Sequence, residues 1–82
     1  MTITVTQPKS DVASSCVEIV IDGVLIGAVG PGESIDASPD QCPYEVRAVC
    51  GSFISVYHGN GDVRLRIQWR LQPARMELEV ER

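Results

Sequence analysis

Eighty-two residues with a formal charge of −4 and a pI near 4.7 describe one small acidic domain, 1–82. A chain this short buries only about 60% of its extended surface on folding, which excludes two domains or a deep cleft between lobes. One Lys and six Arg against eleven acids argue against a general nucleic-acid or anionic-membrane binder, which needs a basic face.

Val and Ile together number 18, against 4 Leu and 5 Ala, a bias toward side chains that are stiff in helices and fit a pleated surface. The first predicted strand covers 2–6, and the polar, Pro-containing stretch 7–15 is a loop. Two apolar runs, 17–21 and 24–28, flank Asp22-Gly23, the strongest short-range hairpin signal, because a type I′ turn needs positive φ at both central residues. Without a bulge, Ile21 pairs with Val24, Ile19 with Ile26 and Val17 with Ala28 on one face, and Val20 with Leu25 on the other.

Val29-Gly30-Pro31-Gly32 is a turn, Glu33 to Ala37 a short strand and 38–43 a Pro-rich loop. Tyr44 to Cys50 and Phe53 to Tyr57 form a second hairpin, in which Gly51 suits the first central position of a type II′ turn. Its register pairs Cys50 with Phe53, Ala48 with Ser55, Val46 with Tyr57 and Glu45 with His58. In the last hairpin Val63, Leu65, Ile67, Trp69 and Leu71 alternate with polar residues, as do Met76, Leu78 and Val80. A four-residue turn at 72–75 sets Arg70 opposite Glu77, Gln68 opposite Glu79 and Arg66 opposite Glu81, so the glutamates largely neutralise the arginine stripe. Nothing in the chain carries an apolar helical stripe. Seven or eight short strands with frequent turns predict an all-β antiparallel sandwich, with a small barrel as the alternative.

The chemistry-bearing residues are few. His58 is the only histidine, and its pairing with Glu45 reads as a cross-strand ionic pair rather than half of a catalytic dyad. Cys16, Cys42 and Cys50 show no Cys-x-x-Cys spacing and are expected as free thiols, Cys50 buried. The glycines at 27–32 are followed by Glu33-Ser34, with no lysine near, so they mark a turn and not a phosphate loop. No metal or other cofactor is expected, nor an enzyme. The start of the chain lacks a basic region and an apolar core, and no apolar run approaches the ~20 residues of a membrane span, so neither signal peptide nor transmembrane segment is expected. A cytoplasmic or virion-associated location follows.

Val17-Glu18-Ile19-Val20-Ile21-Asp22-Gly23, Ile26-Gly27, Gly32-Glu33-Ser34, Pro39 and Tyr44-Glu45-Val46 together resemble small bacterial β-sandwich modules of the PEGA type, over about half of the chain. Asp40-Gln41-Cys42-Pro43 departs from that pattern, which has a Gly before the apolar strand. The resemblance implies an immunoglobulin-like sandwich and a non-enzymatic binding or structural module, and it assigns no functional residue.

The expected function is therefore non-enzymatic: binding another protein, or further copies of itself, as part of a larger assembly such as a virus-encoded capsid-associated or inhibitor protein. A small-ligand or carbohydrate-binding module is the alternative; it would need an exposed aromatic platform, whereas Trp69 falls on the apolar face of its strand and is expected in the core. If the richer face of each hairpin is the core, Val20, Leu25, Val49, Ile54 and Val56 are left on outer faces with few charges among them. Such an apolar surplus marks a partner-binding surface, unless loop 7–15 or 38–43 covers it.

Overall fold

The computed structural model describes residues 1–9 and 16–81. They form β1 (Ile3–Thr6), β2 (Val17–Ile21), β3 (Val24–Val29), β4 (Ser34–Ala37), β5 (Tyr44–Cys50), β6 (Phe53–Gly59), β7 (Val63–Leu71) and β8 (Ala74–Val80). Two four-stranded sheets result, sheet A in the order β4-β1-β7-β8 and sheet B in the order β3-β2-β5-β6. They pack around one shared core as a sandwich, and neither closes into a barrel. No helix occurs among the described residues, so none is long and apolar enough to cross a membrane. Of the predicted loop 7–15, residues 7–9 carry no strand and 10–15 lie outside the described residues.

Every pairing is antiparallel except β1 with β7. Parallel neighbours need a long crossover, and all of sheet B lies between these two strands in the chain. The tight turns follow their chemistry. Asp22 and Gly23 both take positive φ, 49° and 82°, as a type I′ turn requires, and Gly51 sits at 60° in the first central position of the β5–β6 turn.

Alternation puts one face of each sheet into the core. Sheet B contributes Val17, Ile19, Ile21, Val29, Tyr44, Val46 and Ala48; sheet A contributes Ile3, Val5, Leu65, Ile67 and Met76. Full burial of each aliphatic side chain is worth about 1.5–3 kcal/mol. The β5–β6 register is the one expected, from Glu45–His58 to Cys50–Phe53.

Two other registers differ from expectation. The β2–β3 ladder slips between Ile19 and Val20, so that Ile19 pairs with Gly27 and Val17 with Val29. Ile26 is the extra residue of a β-bulge. The slip turns Val29 into the core and leaves Ala28 and Ile26 exposed, together with Val24 at the hairpin end. It also places Gly27 where a Cβ would lie 2.7 Å from Ile35 Cδ1, so only the bulged register sets the one residue without a side chain against β4.

The β7–β8 turn holds two residues, Gln72-Pro73, rather than four, because Ala74 and Arg75 continue the ladder. Trp69 therefore pairs with Met76, Ile67 with Leu78 and Arg70 with Arg75. A shift of two residues preserves which side chains face inward, so the core assignment survives the changed register. Several residues expected inside do not reach the core: Trp69 and Cys50 are each half-buried, and Leu71 and Val80, at the ends of their strands, are exposed.

One buried polar side chain ties the layers together. Gln7 is 1% exposed. Its Nε2 donates to the carbonyl of Val29 in sheet B (2.9 Å), and its Oε1 accepts from Trp69 Nε1 in sheet A (3.0 Å). Its backbone amide donates to Glu33 O at 2.9 Å, and its carbonyl accepts from Gly32 N at 2.6 Å. Trp69, held by that bond, meets the Phe53 ring edge-to-face with centroids 5.4 Å apart. Gln7→Leu keeps the volume but removes the side-chain partners of Trp69 and Val29, and unsatisfied buried groups cost about 1–3 kcal/mol each. Urea unfolding followed by tryptophan fluorescence should show a loss of about 2–4 kcal/mol; an unchanged midpoint would show that Gln7 only fills space.

Candidate functional site

The outer faces of the two sheets are built from different chemistry. On sheet A the outward positions of β4, β1 and β7 are Ser34 and Asp36, Thr4 and Thr6, then Arg64, Arg66, Gln68 and Arg70; β8 adds Glu77 and Glu79. Most of these groups contact one another. Thr4 Oγ1 donates to Asp36 Oδ1 (2.7 Å), Arg70 Nη2 to Glu79 Oε1 (2.6 Å) and Arg70 Nε to Glu77. Arg66 lies 3.9 Å from Glu79, and Arg75, although opposite Arg70, lies 3.5 Å from Glu77. The glutamates thus answer the arginine stripe: Arg66 meets Glu79 directly across the ladder, and Arg70 still reaches the expected Glu77, now as a diagonal neighbour, along with Glu79.

Sheet B turns a different surface outward. The register sets Leu25, Val20, Arg47 and Val56 in one row across the four strands. The next row is Ala28, Glu18, Val49 and Ile54. All five residues singled out from the sequence, Val20, Leu25, Val49, Ile54 and Val56, therefore share one face of one sheet. Leu25, Ile54 and Val56 are 58%, 57% and 43% exposed, while Val20 and Val49, on the two central strands, are half-buried by their neighbours. The 38–43 loop does not cover them; it passes the end of the sheet beside Asp22 and Val24. The charges within this field are Glu18 and Arg47, with Glu45 and His58 at its rim. Glu45 accepts from Arg47 Nη2 (3.1 Å) and lies 3.4 Å from His58 Nε2, so His58 has the cross-strand neighbour expected of it.

A second feature escaped the sequence reading. Where β3 and β4 form neighbouring edges of the two sheets, the sandwich opens into a cleft of about 430 Å³ lined by Val24, Ile26, Ala37, Pro39 and Asp40, among others. Ile26, the extra residue of the bulge, is one of its walls. The only trace in the sequence is Gly27 within an otherwise branched, apolar strand. Asp22 at its mouth is occupied structurally, Oδ1 accepting from Glu45 N at 2.9 Å.

Among the described residues no three His, Cys, Asp or Glu side chains converge as metal ligands would. Cys16 and Cys42 are exposed, Cys50 is half-buried, and all three are free thiols.

No protein-family model matches the chain, and neither a curated protein nor a solved structure shows detectable similarity to it.

The charged face makes a pH prediction. The Arg70 guanidinium hydrogen-bonded to Glu77 holds its carboxyl below the ordinary carboxylate value. A depressed folded-state pKa stabilises the fold above the unfolded value, and that contribution is lost as pH falls through the folded one. NMR titration should place Glu77 below the ordinary glutamate value in the wild type and return it upward in Arg70→Gln; an identical titration in both would remove Arg70 as the cause.

Proposed function

We propose that the chain is a non-enzymatic protein-binding or structural module, acting as part of a larger assembly through the outer face of sheet B. The observation that carries this is the contrast between the two outer faces. Sheet A turns outward Thr, Ser, Asp, Arg and Glu side chains, most of them in contact with one another, as a solvated sheet should. Sheet B, of the same width, presents Val20, Leu25, Val49, Ile54 and Val56 with one acid and one base among them. Contiguous apolar surface of this kind usually marks an interaction site. The partial resemblance of 17–56 to PEGA-type immunoglobulin-like modules agrees with a binding or structural role, and a capsid-associated or inhibitor protein is one form such a module takes.

The cleft beside Val24 and Ile26 supports a second reading, a small-ligand module, because its 430 Å³ falls in the size range of ligand pockets. Carbohydrate binding has less support, since Trp69 is engaged by Gln7 and Phe53 instead of standing free as a platform.

The double substitution Val49→Ser, Ile54→Lys tests the leading reading. Association, whether seen by sedimentation of the chain alone or by capture of a partner on immobilised chain, should fall by about tenfold or more. The thermal midpoint should move by only a few degrees, roughly the effect of a ~0.5 kcal/mol surface change. A control pair on sheet A, Thr4→Lys with Arg64→Ser, should leave association intact. Failure of the first variant to fold would make those residues core; equal loss in both variants would remove sheet B as the binding face.

A further inference from the structure

We infer that the occupant of this face is a second copy of the chain, related by a two-fold axis lying in the interface along Leu25, Val20, Val49 and Ile54. The inference rests on the reading of sheet B as an interaction surface and names its partner. It comes from the register. Strands lie ~4.8 Å apart, and successive residues on one face lie ~6.8 Å apart along a strand. Leu25 on β3 is beside Val20 on β2; Val49 on β5, one row further, is beside Ile54 on β6. A straight line drawn diagonally across the sheet passes within ~1.5 Å of all four of these positions.

The two charges of the field flank that line. Arg47 sits beside Val20, and Glu18 sits beside Val49. The same spacings place them on opposite sides of the line, each ~4 Å from it. A two-fold axis along the line exchanges the sides. The four apolar residues then meet their own equivalents, and Arg47 of each copy comes to lie over Glu18 of the other. Both charges of the field are matched, twice, by one operation. This is the self-complementarity that an isologous interface demands.

The surroundings favour the same arrangement. Glu18 is exposed and makes no ion pair among the described residues, so it is available to the second copy. Arg47 is anchored on one side by Glu45, which orients it without burying it. Glu45 and His58 lie outside the central field, at the polar rim where interfaces keep their solvated charges. The strands of the two copies cross steeply, as in orthogonal sheet packing. A face four strands wide is at the small end of specific interfaces, ~1,000–1,200 Å² in total, so association in the micromolar range or weaker is expected.

Charge reversal tests the axis directly. In Arg47→Glu the contacts become acid against acid, and in Glu18→Arg base against base. Sedimentation from about 10 µM to about 1 mM should show a monomer–dimer equilibrium for the wild type, and dimerisation at least ~10-fold weaker for each variant. An equimolar mixture of the two variants should restore a heterodimer, since both cross pairs are then opposite in charge. The chain carrying both substitutions should likewise dimerise again, which keeps the test informative if one single variant folds poorly. Wild-type-like dimers of the separate variants, or a mixture that stays monomeric, would overturn the two-fold arrangement. A wild-type chain monomeric throughout, yet able to bind a different protein in a way lost with Val49→Ser, Ile54→Lys, would overturn the second copy as occupant and leave the binding reading standing. Absence of both associations would overturn the two together.

Discussion

Each sheet in this molecule has only one partner layer, and that constraint governs the rest. Ile19, Val46 and Ala48 from sheet B, with Ile3, Leu65 and Ile67 from sheet A, are removed almost wholly from water because the sheets cover one another. Nothing comparable covers their outer faces among the described residues. In a chain of this size the thin core leaves little stability in reserve, and the buried polar anchor at Gln7 matters correspondingly. It bonds β3 and β7 at once and fixes the indole at the rim, so the two layers are held in position by hydrogen bonds as well as by non-directional burial.

With the inward positions committed to the core, all remaining choice lies in the outward ones. On sheet A those positions became a network of Thr, Asp, Arg and Glu whose members answer one another, including the like-charged Arg70–Arg75 pair, relieved by Glu77 and Glu79. On sheet B they became aliphatic. The difference owes nothing to strand propensity, which valine and isoleucine satisfy equally on either face. The proposed second surface covering sheet B would give it a cause outside the isolated domain. The placement of Arg47 and Glu18 about the apolar diagonal then narrows the form of that surface.

Much of this could be read from the residues. Asp22-Gly23 and Gly51-Ser52 specify turns of two residues, and the period-two runs specify which side chains face inward, so the sandwich and the five outward apolar residues followed. What could not be read depended on contacts between distant segments. The bulge at Ile26 sets Gly27 against Ile35 and turns Val29 into the core, neither visible from the β2–β3 run alone. The cleft beside Val24 includes the bulged Ile26 in its wall. The shorter turn at Gln72-Pro73 shifted the last ladder by two residues, moving Arg66 from Glu81 to Glu79 and adding Glu79 to the Arg70–Glu77 pair, without changing which side chains face inward. Gln7, in a stretch that reads as polar loop, is buried only because Trp69 and Val29 converge on it.

The central claim is that the outer face of sheet B is a covered surface when the protein is at work. Amide shifts of the isotope-labelled chain, followed by NMR as concentration is raised, test it most directly because they locate association residue by residue. The account predicts changes concentrated at Glu18, Val20, Leu25, Arg47, Val49, Ile54 and Val56, with Thr4, Arg64, Arg66 and Glu79 unmoved. Changes centred on the charged face of sheet A would contradict it.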